Sequence, residues 1–292
     1  MKSSYPALAR TCVRPLLALL LASLGVTALA QAPVAAPRPA PGRVVPPVEA
    51  SAIHMAKDFK VELIYAVPNA EQGSWVNLAV DPKGRLTAAD QYGGLYRITP
   101  PPIGSVEGTK IERLKVNLVR TDRLPPPPPT PDANKKGPPP APVEVGAHGL
   151  LYAFDSLYVM VDENRPNAGL WRLRDTDGDD QFDQATLLRG MNGSGEHGAH
   201  GLVLSPDGKS IYFANGNHTD LPAHLEKARG VAWGEDHLLP RMWDAGGHAR
   251  NKFAPGGYVG RTDPEGKVVE MFASGFRNQF DIAFDQNGEL FT

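Results

Sequence analysis

The sequence predicts an all-β protein, and three observations indicate it. The chain of 292 residues contains 30 Gly and 29 Pro, a content that disfavours long helices. Short apolar runs alternate with clusters of Gly, Asp, Pro and Asn, which is the pattern of strands joined by turns. A strand–turn–strand unit recurs along the chain, and recurring hairpins that are each followed by a further strand are typical of a β-propeller. A β-sandwich built from similar hairpins is the alternative.

The repeated unit is an apolar strand, a tight turn that contains glycine, and a second strand. Three copies read VNLAVDPKGRLTAAD from Val76, HGLVLSPDGKSIYFANG from His200 and FDIAFDQNGELFT from Phe280. In each copy the turn glycine supplies the positive φ that a tight hairpin requires. The segment HGLLYAFDSLYVMVD from His148 is a degenerate copy that lacks the turn motif. Two further pieces, GGLYRI and AGLWRL, predict the strand that follows a hairpin and closes a blade.

Residues 1–30 have the features of a secretory signal peptide. Basic residues precede the apolar run Pro15–Val26, and a small-x-small cleavage site ends at Ala30. Cleavage after Ala30 predicts a periplasmic or extracellular protein. A transmembrane anchor is the alternative, but the apolar run is shorter than the roughly 20 residues that a span requires. No later stretch is apolar and long enough, so the sequence predicts a mature chain without a transmembrane segment.

Two Pro-rich stretches divide the rest of the chain. Residues 31–50 predict an extended Ala/Pro-rich linker, and residues 124–143 predict a disordered surface insertion within a propeller portion that spans 51–292. At ~40 residues per blade, that portion has room for about five blades at most, and its loop-rich parts reduce the expectation to about three or four. The chain ends inside a strand pattern, so we expect an incomplete propeller, the N-terminal piece of a longer protein.

Composition excludes several classes of function. Lys and Arg number 30 against 32 Asp and Glu, so there is no excess of cations to neutralise the phosphates of a nucleic acid. The single cysteine, Cys12, lies within the predicted signal peptide. The mature chain therefore has no disulfide, no thiolate nucleophile and no CxxCH haem attachment site.

Histidines are concentrated in one part of the chain, because seven of the eight lie between His148 and His248. Glycines surround His197 and His200 and leave room for a ligand to approach. An imidazole in the central funnel of a propeller can act as a general base. Solvated loop histidines without a role are one alternative, and a transition-metal site formed by His197, His200 and His218 is another.

Residues 175–183, DTDGDDQFD, predict a structural calcium site. Oxygen ligands occupy positions 1, 3, 5 and 9 of this loop, at Asp175, Asp177, Asp179 and Asp183. Alternating carboxylates suit a hard cation, and the loop resembles the calcium loops of some propeller blades. Asp180 holds position 6, where such loops have glycine. A solvated acidic turn is the alternative.

The segment GFRNQFD places Arg277 and Asn278 directly before a predicted strand, where loop residues face one end of a propeller. The guanidinium of arginine matches a carboxylate, and the amide of asparagine both donates and accepts hydrogen bonds. A ligand-facing loop and a local surface turn are the two interpretations that this chemistry allows.

Two blocks, HGAHGLVLSPDGKSIYFANGN and GFRNQFDIAFDQNGELF, together resemble the soluble quinoprotein glucose/sorbosone dehydrogenases. GSWVNLAVDPKGRLTAADQYGGLYRI is similar to the first blade of the exported "membrane-bound dehydrogenase" propeller proteins of planctomycete-type bacteria. The resemblance covers roughly residues 55–292. It implies a six-bladed propeller that binds pyrroloquinoline quinone (PQQ) with calcium and oxidises a sugar or alcohol. It also implies a c-type cytochrome as the electron acceptor.

The resemblance assigns roles to particular residues. The base histidine of the family stands ten residues before the Asp of its turn motif, and the same spacing from Asp207 leads to His197. Arg277 and Asn278 match the family's Arg-Asn pair and are expected to contact the cofactor. The place of the aspartate that orients the base holds Asn217, when one inserted residue is allowed. An amide can orient an imidazole, but it does not stabilise the imidazolium as a carboxylate does.

Two other functions remain open from the sequence. A non-catalytic propeller that binds carbohydrate or a partner protein is favoured by Asn217 in place of the aspartate. A calcium-dependent lactonase-type propeller would use carboxylates and asparagines around a central metal. The histidine and Arg-Asn motifs favour the dehydrogenase.

Overall fold

The fold is built from antiparallel β-sheets that follow one another along the chain. A computed structural model describes residues 52–105, 107–118, 146–162, 167–193, 195–221, 226–227 and 256–292. The predicted signal peptide 1–30, the linker 31–50 and the Pro-rich insertion 124–143 lie outside the described residues. The described part is all-β apart from one short helix, α1 (Asn69–Gln72).

The first two sheets are four-stranded, and in both the strands lie in chain order. The first sheet contains β1 (Trp75–Val80), β2 (Leu86–Asp90), β3 (Leu95–Thr99) and β4 (Lys110–Arg113). The second contains β5 (Ala147–Ala153), β6 (Ser156–Val161), β7 (Gly169–Arg174) and β8 (Gln184–Gly190).

The third sheet has five strands, in the order β9-β10-β12-β13-β11. Its strands are β9 (Ala199–Leu204), β10 (Ile211–Asn215), β11 (Glu226–Lys227), β12 (Gly257–Thr262) and β13 (Val269–Phe276). All pairs are antiparallel except β11 with β13. A fourth, two-stranded sheet pairs β14 (Ala283–Phe284) with β15 (Leu290–Phe291).

Four motifs of four residues that end in glycine, at 81–84, 205–208, 263–266 and 285–288, form tight turns. The fourth residue of each motif is a glycine with φ between 68 and 82°, and it donates its N–H to the carbonyl of the first residue at 2.9–3.1 Å. Three of these turns join the first and second strands of a sheet, and the fourth joins β12 to β13. The four glycines are Gly84, Gly208, Gly266 and Gly288.

The degenerate copy also forms a hairpin, but without glycine. Ala153 pairs with Ser156, so Phe154 and Asp155 alone make the turn between β5 and β6. Their φ angles are 51° and 50°, in the left-handed region that a two-residue hairpin loop needs at both positions. Because Phe154 packs against the core cluster that contains Tyr158, burial of its ring offsets the backbone strain.

The pieces GGLYRI and AGLWRL form third strands, β3 and β7, as predicted from their place after a hairpin. They do not close their sheets, because β4 and β8 pair with their outer edges. These fourth strands are partly exposed, and the repeat that the sequence displays does not include them.

Apolar clusters hold each sheet against the next. Leu95 of the first sheet and Leu157 of the second belong to one cluster, and Tyr158 and Phe213 belong to the cluster between the second and third sheets. Ile282, just before β14, packs on the third sheet. The first strands β1, β5 and β9 are neighbours, so residues at the beginnings of these strands meet. No helix among the described residues is long and apolar enough to cross a membrane.

Candidate functional site

Three chain segments meet where β9 begins, and backbone hydrogen bonds fix them together. The segment before β9 binds the end of β10 through Gly216 N–H to Gly198 O at 2.7 Å and His218 N–H to His197 O at 3.0 Å. The N–H of Asn217 donates to Arg277 O at 2.9 Å. A Cβ at Gly216 would lie 2.4 Å from the carbonyl oxygen of His197, so only glycine permits this close approach.

His197 lies at the centre of this junction and is 2% exposed. Its Nδ1 is 2.7 Å from Oδ1 of Asn217, and its Nε2 is 3.3 Å from Nη1 of Arg277. An amide oxygen only accepts and a guanidinium only donates. The proton of the neutral ring therefore resides on Nδ1, and the lone pair of Nε2 faces the guanidinium. The ring of His218 lies beside it, with centroids 4.7 Å apart.

Asn278 contacts a second histidine rather than His197. Its Oδ1 lies 3.0 Å from Nε2 of His200. The Nδ1 of His200 is 3.2 Å from Nδ1 of His148, and that same nitrogen of His148 is 3.2 Å from Oδ2 of Asp162. His148, His200 and Asp162 are each at most 6% exposed. The site therefore consists of two groups, one around His197 and one around His200. They are linked because Arg277 and Asn278, which contact one group each, are adjacent in the chain.

The buried pair of histidines is neutral. Burial lowers the pKa of His148 to about 4, and the neighbouring His200 acts in the same direction, whereas the Asp162 carboxylate opposes it. Burial also lowers the pKa of His200, and the hydrogen bond that its ring donates to Asn278 opposes this shift. Both rings therefore keep a single proton near neutral pH, and their nitrogens have defined donor and acceptor roles.

The three histidines proposed as a transition-metal site do not converge. His197 and His218 have adjacent rings, but both nitrogens of His200 face Asn278 and His148. Across the described ranges, the only group of three ligand side chains with atoms close enough for one ion is acidic. The geometry therefore gives no support to the transition-metal alternative.

That acidic group lies in the loop between β7 and β8. Carboxylate oxygens of Asp175, Asp177 and Asp179 lie within 4.8 Å of one another at the surface. Asp183, the fourth predicted ligand, instead accepts hydrogen bonds from the N–H and the hydroxyl of Thr176, which holds the two ends of the loop together.

Asp180 explains why position 6 of this loop is not glycine. Its φ is 71°, which a short polar residue tolerates better than a bulky one. Its side chain reaches the first sheet and pairs with Arg85 and Lys83. The two hydrogen bonds from Arg85 hold the pKa of the carboxyl well below its usual range. The ion pairs lie in a cleft of about 410 Å³ that opens between the hairpin turns of the first two sheets.

The structure brings together His197, Arg277 and Asn217, three of the residues that the resemblance selects, and places Asn278 beside His200. The Asp175 loop is a separate feature on the second sheet. Sequence reasoning missed the roles of His148 and Asp162. A signal for His148 was present, because GAHGL occurs twice, at 146–150 and 198–202.

The arrangement offers an imidazole acceptor, a cation and amide groups at one point. These groups can accept a proton from a hydroxyl and hold an anionic ligand. The chain matches no protein-family model and no curated protein.

Proposed function

We propose that this chain is a propeller of the quinoprotein dehydrogenase type, which oxidises a sugar or alcohol with PQQ and uses His197 as the general base. The fold supports this proposal, because successive sheets of four or five strands pack with their first strands side by side and a two-stranded hairpin follows them. The observation that carries it is the meeting of His197, Asn217 and Arg277 within hydrogen-bonding distance.

The donor set fits the proposed cofactor. PQQ carries carboxylates and quinone oxygens, which require a cation and neutral hydrogen-bond donors. Arg277 supplies the cation beside His197, and Asn278 supplies an amide beside His200. A quinone held there would supply the acceptor for the hydride that leaves the carbon of the alcohol.

The chain's own part in the reaction is proton transfer and orientation. Asn217 accepts a hydrogen bond from the Nδ1–H of His197 and so keeps the lone pair on Nε2. A substrate hydroxyl that replaces Arg277 at Nε2 donates its proton there as the C–H bond breaks, which leaves a carbonyl product and a protonated His197. Arg277 is then available to the anionic groups of the ligand.

The proposal includes a calcium ion in a structural role at Asp175, Asp177 and Asp179. Three carboxylates that converge at the surface suit a hard cation. Asp183 would hold the loop closed through Thr176 rather than coordinate the ion. A c-type cytochrome is the proposed electron acceptor, and the periplasm or the extracellular space is the proposed location.

A binding protein without catalysis is the second candidate. Asn217 favours it, because an amide beside Nδ1 cannot neutralise a protonated His197 as an aspartate would. In that case the same Arg277 and Asn278 would hold a carbohydrate or a partner protein.

Calorimetric titration of the chain with PQQ and calcium, together with a dye-linked assay over a panel of sugars and alcohols, tests the proposal. Arg277→Ala should abolish saturable binding, and His197→Ala should abolish turnover while binding persists. Arg174→Ala and His54→Ala are the matched controls, because both residues lie away from the site and His54 is exposed. A folded wild-type chain that binds no PQQ refutes the dehydrogenase and leaves the binding protein.

A further inference from the structure

His148 and His200 occupy the same position in two successive sheets. Each follows Gly-Ala and precedes Gly-Leu at the beginning of a first strand, β5 or β9. The glycine after the histidine allows the strands to approach, because a Cβ at Gly149 would lie 2.3 Å from the carbonyl oxygen of His200. The repeat GAHGL therefore places two imidazoles against each other across the boundary between the sheets.

The rings are parallel and shielded from solvent. Their planes differ by 2° and their centroids are 5.3 Å apart. Phe280 begins the hairpin unit of the fourth sheet, as His200 begins that of the third. It covers both rings, and its ring centroid lies 4.8 Å from that of His200. Water therefore does not compete for the polar atoms of this pair, and the protein groups alone decide which nitrogens carry protons.

The hydrogen bonds run in one direction. Oδ1 of Asn278 accepts, so Nε2 of His200 carries the proton of that ring. Nδ1 of His200 then has a lone pair, which accepts a hydrogen bond from the Nδ1–H of His148 at 3.2 Å. Oδ2 of Asp162 lies 3.2 Å from the same nitrogen of His148, at ion-pair distance rather than in a hydrogen bond, so its negative charge favours a proton on that nitrogen.

The opposite direction is electrostatically unfavourable. If Asn278 were turned so that its Nδ2 donated to His200, the proton of His200 would move to Nδ1 and the lone pair of His148 would lie at Nδ1. That lone pair would then face the negative charge of Asp162 in a site without water. Asp162 is itself fixed, because its Oδ1 accepts the N–H of Ala199 at 2.8 Å.

We propose that Asp162, His148 and His200 are positioning residues. The charge of Asp162 sets the direction of the two hydrogen bonds that run from His148 to His200 and from His200 to Asn278, and these bonds set the orientation of the Asn278 amide. Oδ1 of Asn278 faces His200, so the donor Nδ2 is the edge that faces away from the pair, toward the ligand. The consequence for binding rests on the proposed function, because it takes PQQ as the ligand of Arg277 and Asn278.

The direction of the two hydrogen bonds can be measured without any ligand. In the full chain labelled with ¹⁵N-histidine, the nitrogen chemical shifts at pH 7 should report a proton on Nδ1 of His148 and on Nε2 of His200. Asp162→Asn should reverse both assignments. Its amide oxygen keeps the bond to Ala199, so its NH₂ group takes the place of Oδ2 and donates to His148.

Asp281→Asn is the matched control. Asp281 is exposed and lies near the same strands, and the substitution removes the same charge. It should leave both assignments unchanged. His148→Phe is the second variant in case Asp162→Asn does not fold. It removes the hydrogen-bond donor to His200 but keeps an aromatic ring beside it. In part of the molecules the proton of His200 should therefore move to Nδ1. A wild-type His200 that carries its proton on Nδ1, or one that Asp162→Asn leaves unchanged, overturns the proposal.

Titration with PQQ and calcium tests the second step. Asp162→Asn should weaken binding roughly tenfold relative to wild type, the effect of one misdirected hydrogen bond, while Asp281→Asn should not. An unchanged affinity in a variant with reversed nitrogens refutes the link to the ligand. If the wild type binds no PQQ, the proposed function fails, and the nitrogen shifts still decide the direction of the two hydrogen bonds.

Discussion

Asp180, in the loop between β7 and β8, forms a bidentate ion pair with Arg85, in the hairpin turn between β1 and β2. Oδ2 lies 2.5 Å from Nη1 and Oδ1 lies 2.8 Å from Nη2. Arg85 also binds Asp81 through Nε at 2.7 Å, so one guanidinium joins the hairpin turn of its own sheet to the acidic loop of the next. The ion pair explains why an aspartate occupies position 180, where φ is positive and glycine would cause less backbone strain.

Asp180→Asn should destabilise the protein by about 1 kcal/mol at pH 7, because it removes a partly exposed but bidentate pair. Since the pKa of Asp180 is lowered in the folded state, its stabilisation is present above the ordinary pKa of an aspartate and decreases as the pH falls below it. Urea unfolding of both proteins at pH 7 and pH 3 measures this. Asp177→Asn is the control, and equal losses in the two variants would contradict the pairing.

Asp155→Gly should stabilise the protein by about 1 kcal/mol, because the residue has φ of 50° and glycine adopts this conformation without strain. Phe154→Gly relieves the same strain but removes a ring from the core cluster, so it should destabilise. Thermal unfolding of the two variants separates the effects. A destabilised Asp155→Gly would mean that the aspartate side chain makes a contribution larger than the strain.

The sequence predicted the repeated hairpins because their turns depend on local chemistry, a glycine at a fixed place after Asp or Ser. It did not predict β4 and β8, whose partly exposed polar residues lack a clear alternation. The meeting of His197 with Arg277 followed from a resemblance between whole motifs. The contact of His148 with Asp162 depends on how two sheets pack and on glycines that permit it, and this is not encoded in any one segment.

Calcium should raise the melting temperature of the chain, because binding to the folded state alone stabilises it by mass action. The convergence of Asp175, Asp177 and Asp179 predicts that the double variant Asp177→Asn/Asp179→Asn loses this increase. Asp183→Asn should lower the melting temperature with and without calcium, because Asp183 closes the loop on Thr176. Differential scanning with calcium and with a chelator makes the comparison. An unchanged melting temperature in the wild type would mean that the loop is a solvated acidic turn.

Acid should destabilise the protein through the buried histidines. The pKa of His148 is lowered in the folded state to about 4, so between its ordinary value of about 6.5 and pH 4 the unfolded chain binds more protons than the folded one. This group alone should therefore reduce stability by up to about 1.4 kcal/mol for each pH unit in that range. The nearby Asp162 and His200 also face this ring, and the charge of Asp162 moderates the effect.

His148→Phe removes this titration, so its stability should fall less steeply between pH 6.5 and 4 than that of the wild type. His54→Phe changes an exposed histidine and should keep the wild-type slope. Urea unfolding at half-unit steps of pH measures the slopes. Parallel slopes for wild type and His148→Phe would show that the buried ring does not control the acid sensitivity.

Asn217→Asp should increase turnover if His197 is the base of the proposed reaction. Oδ1 of Asn217 lies 2.7 Å from Nδ1 of His197, so an aspartate there would keep the same hydrogen bond and add a negative charge that stabilises the protonated ring. We expect kcat to increase about tenfold, because this is the effect of stabilising the protonated ring by about one pKa unit, and we expect little change in KM.

Asn217→Ala removes the orienting hydrogen bond to His197 and should reduce kcat instead. The dye-linked assay with a substrate that the wild type oxidises measures both variants. A decrease of kcat in Asn217→Asp would mean that an amide, and not a charge, is what this site requires beside His197.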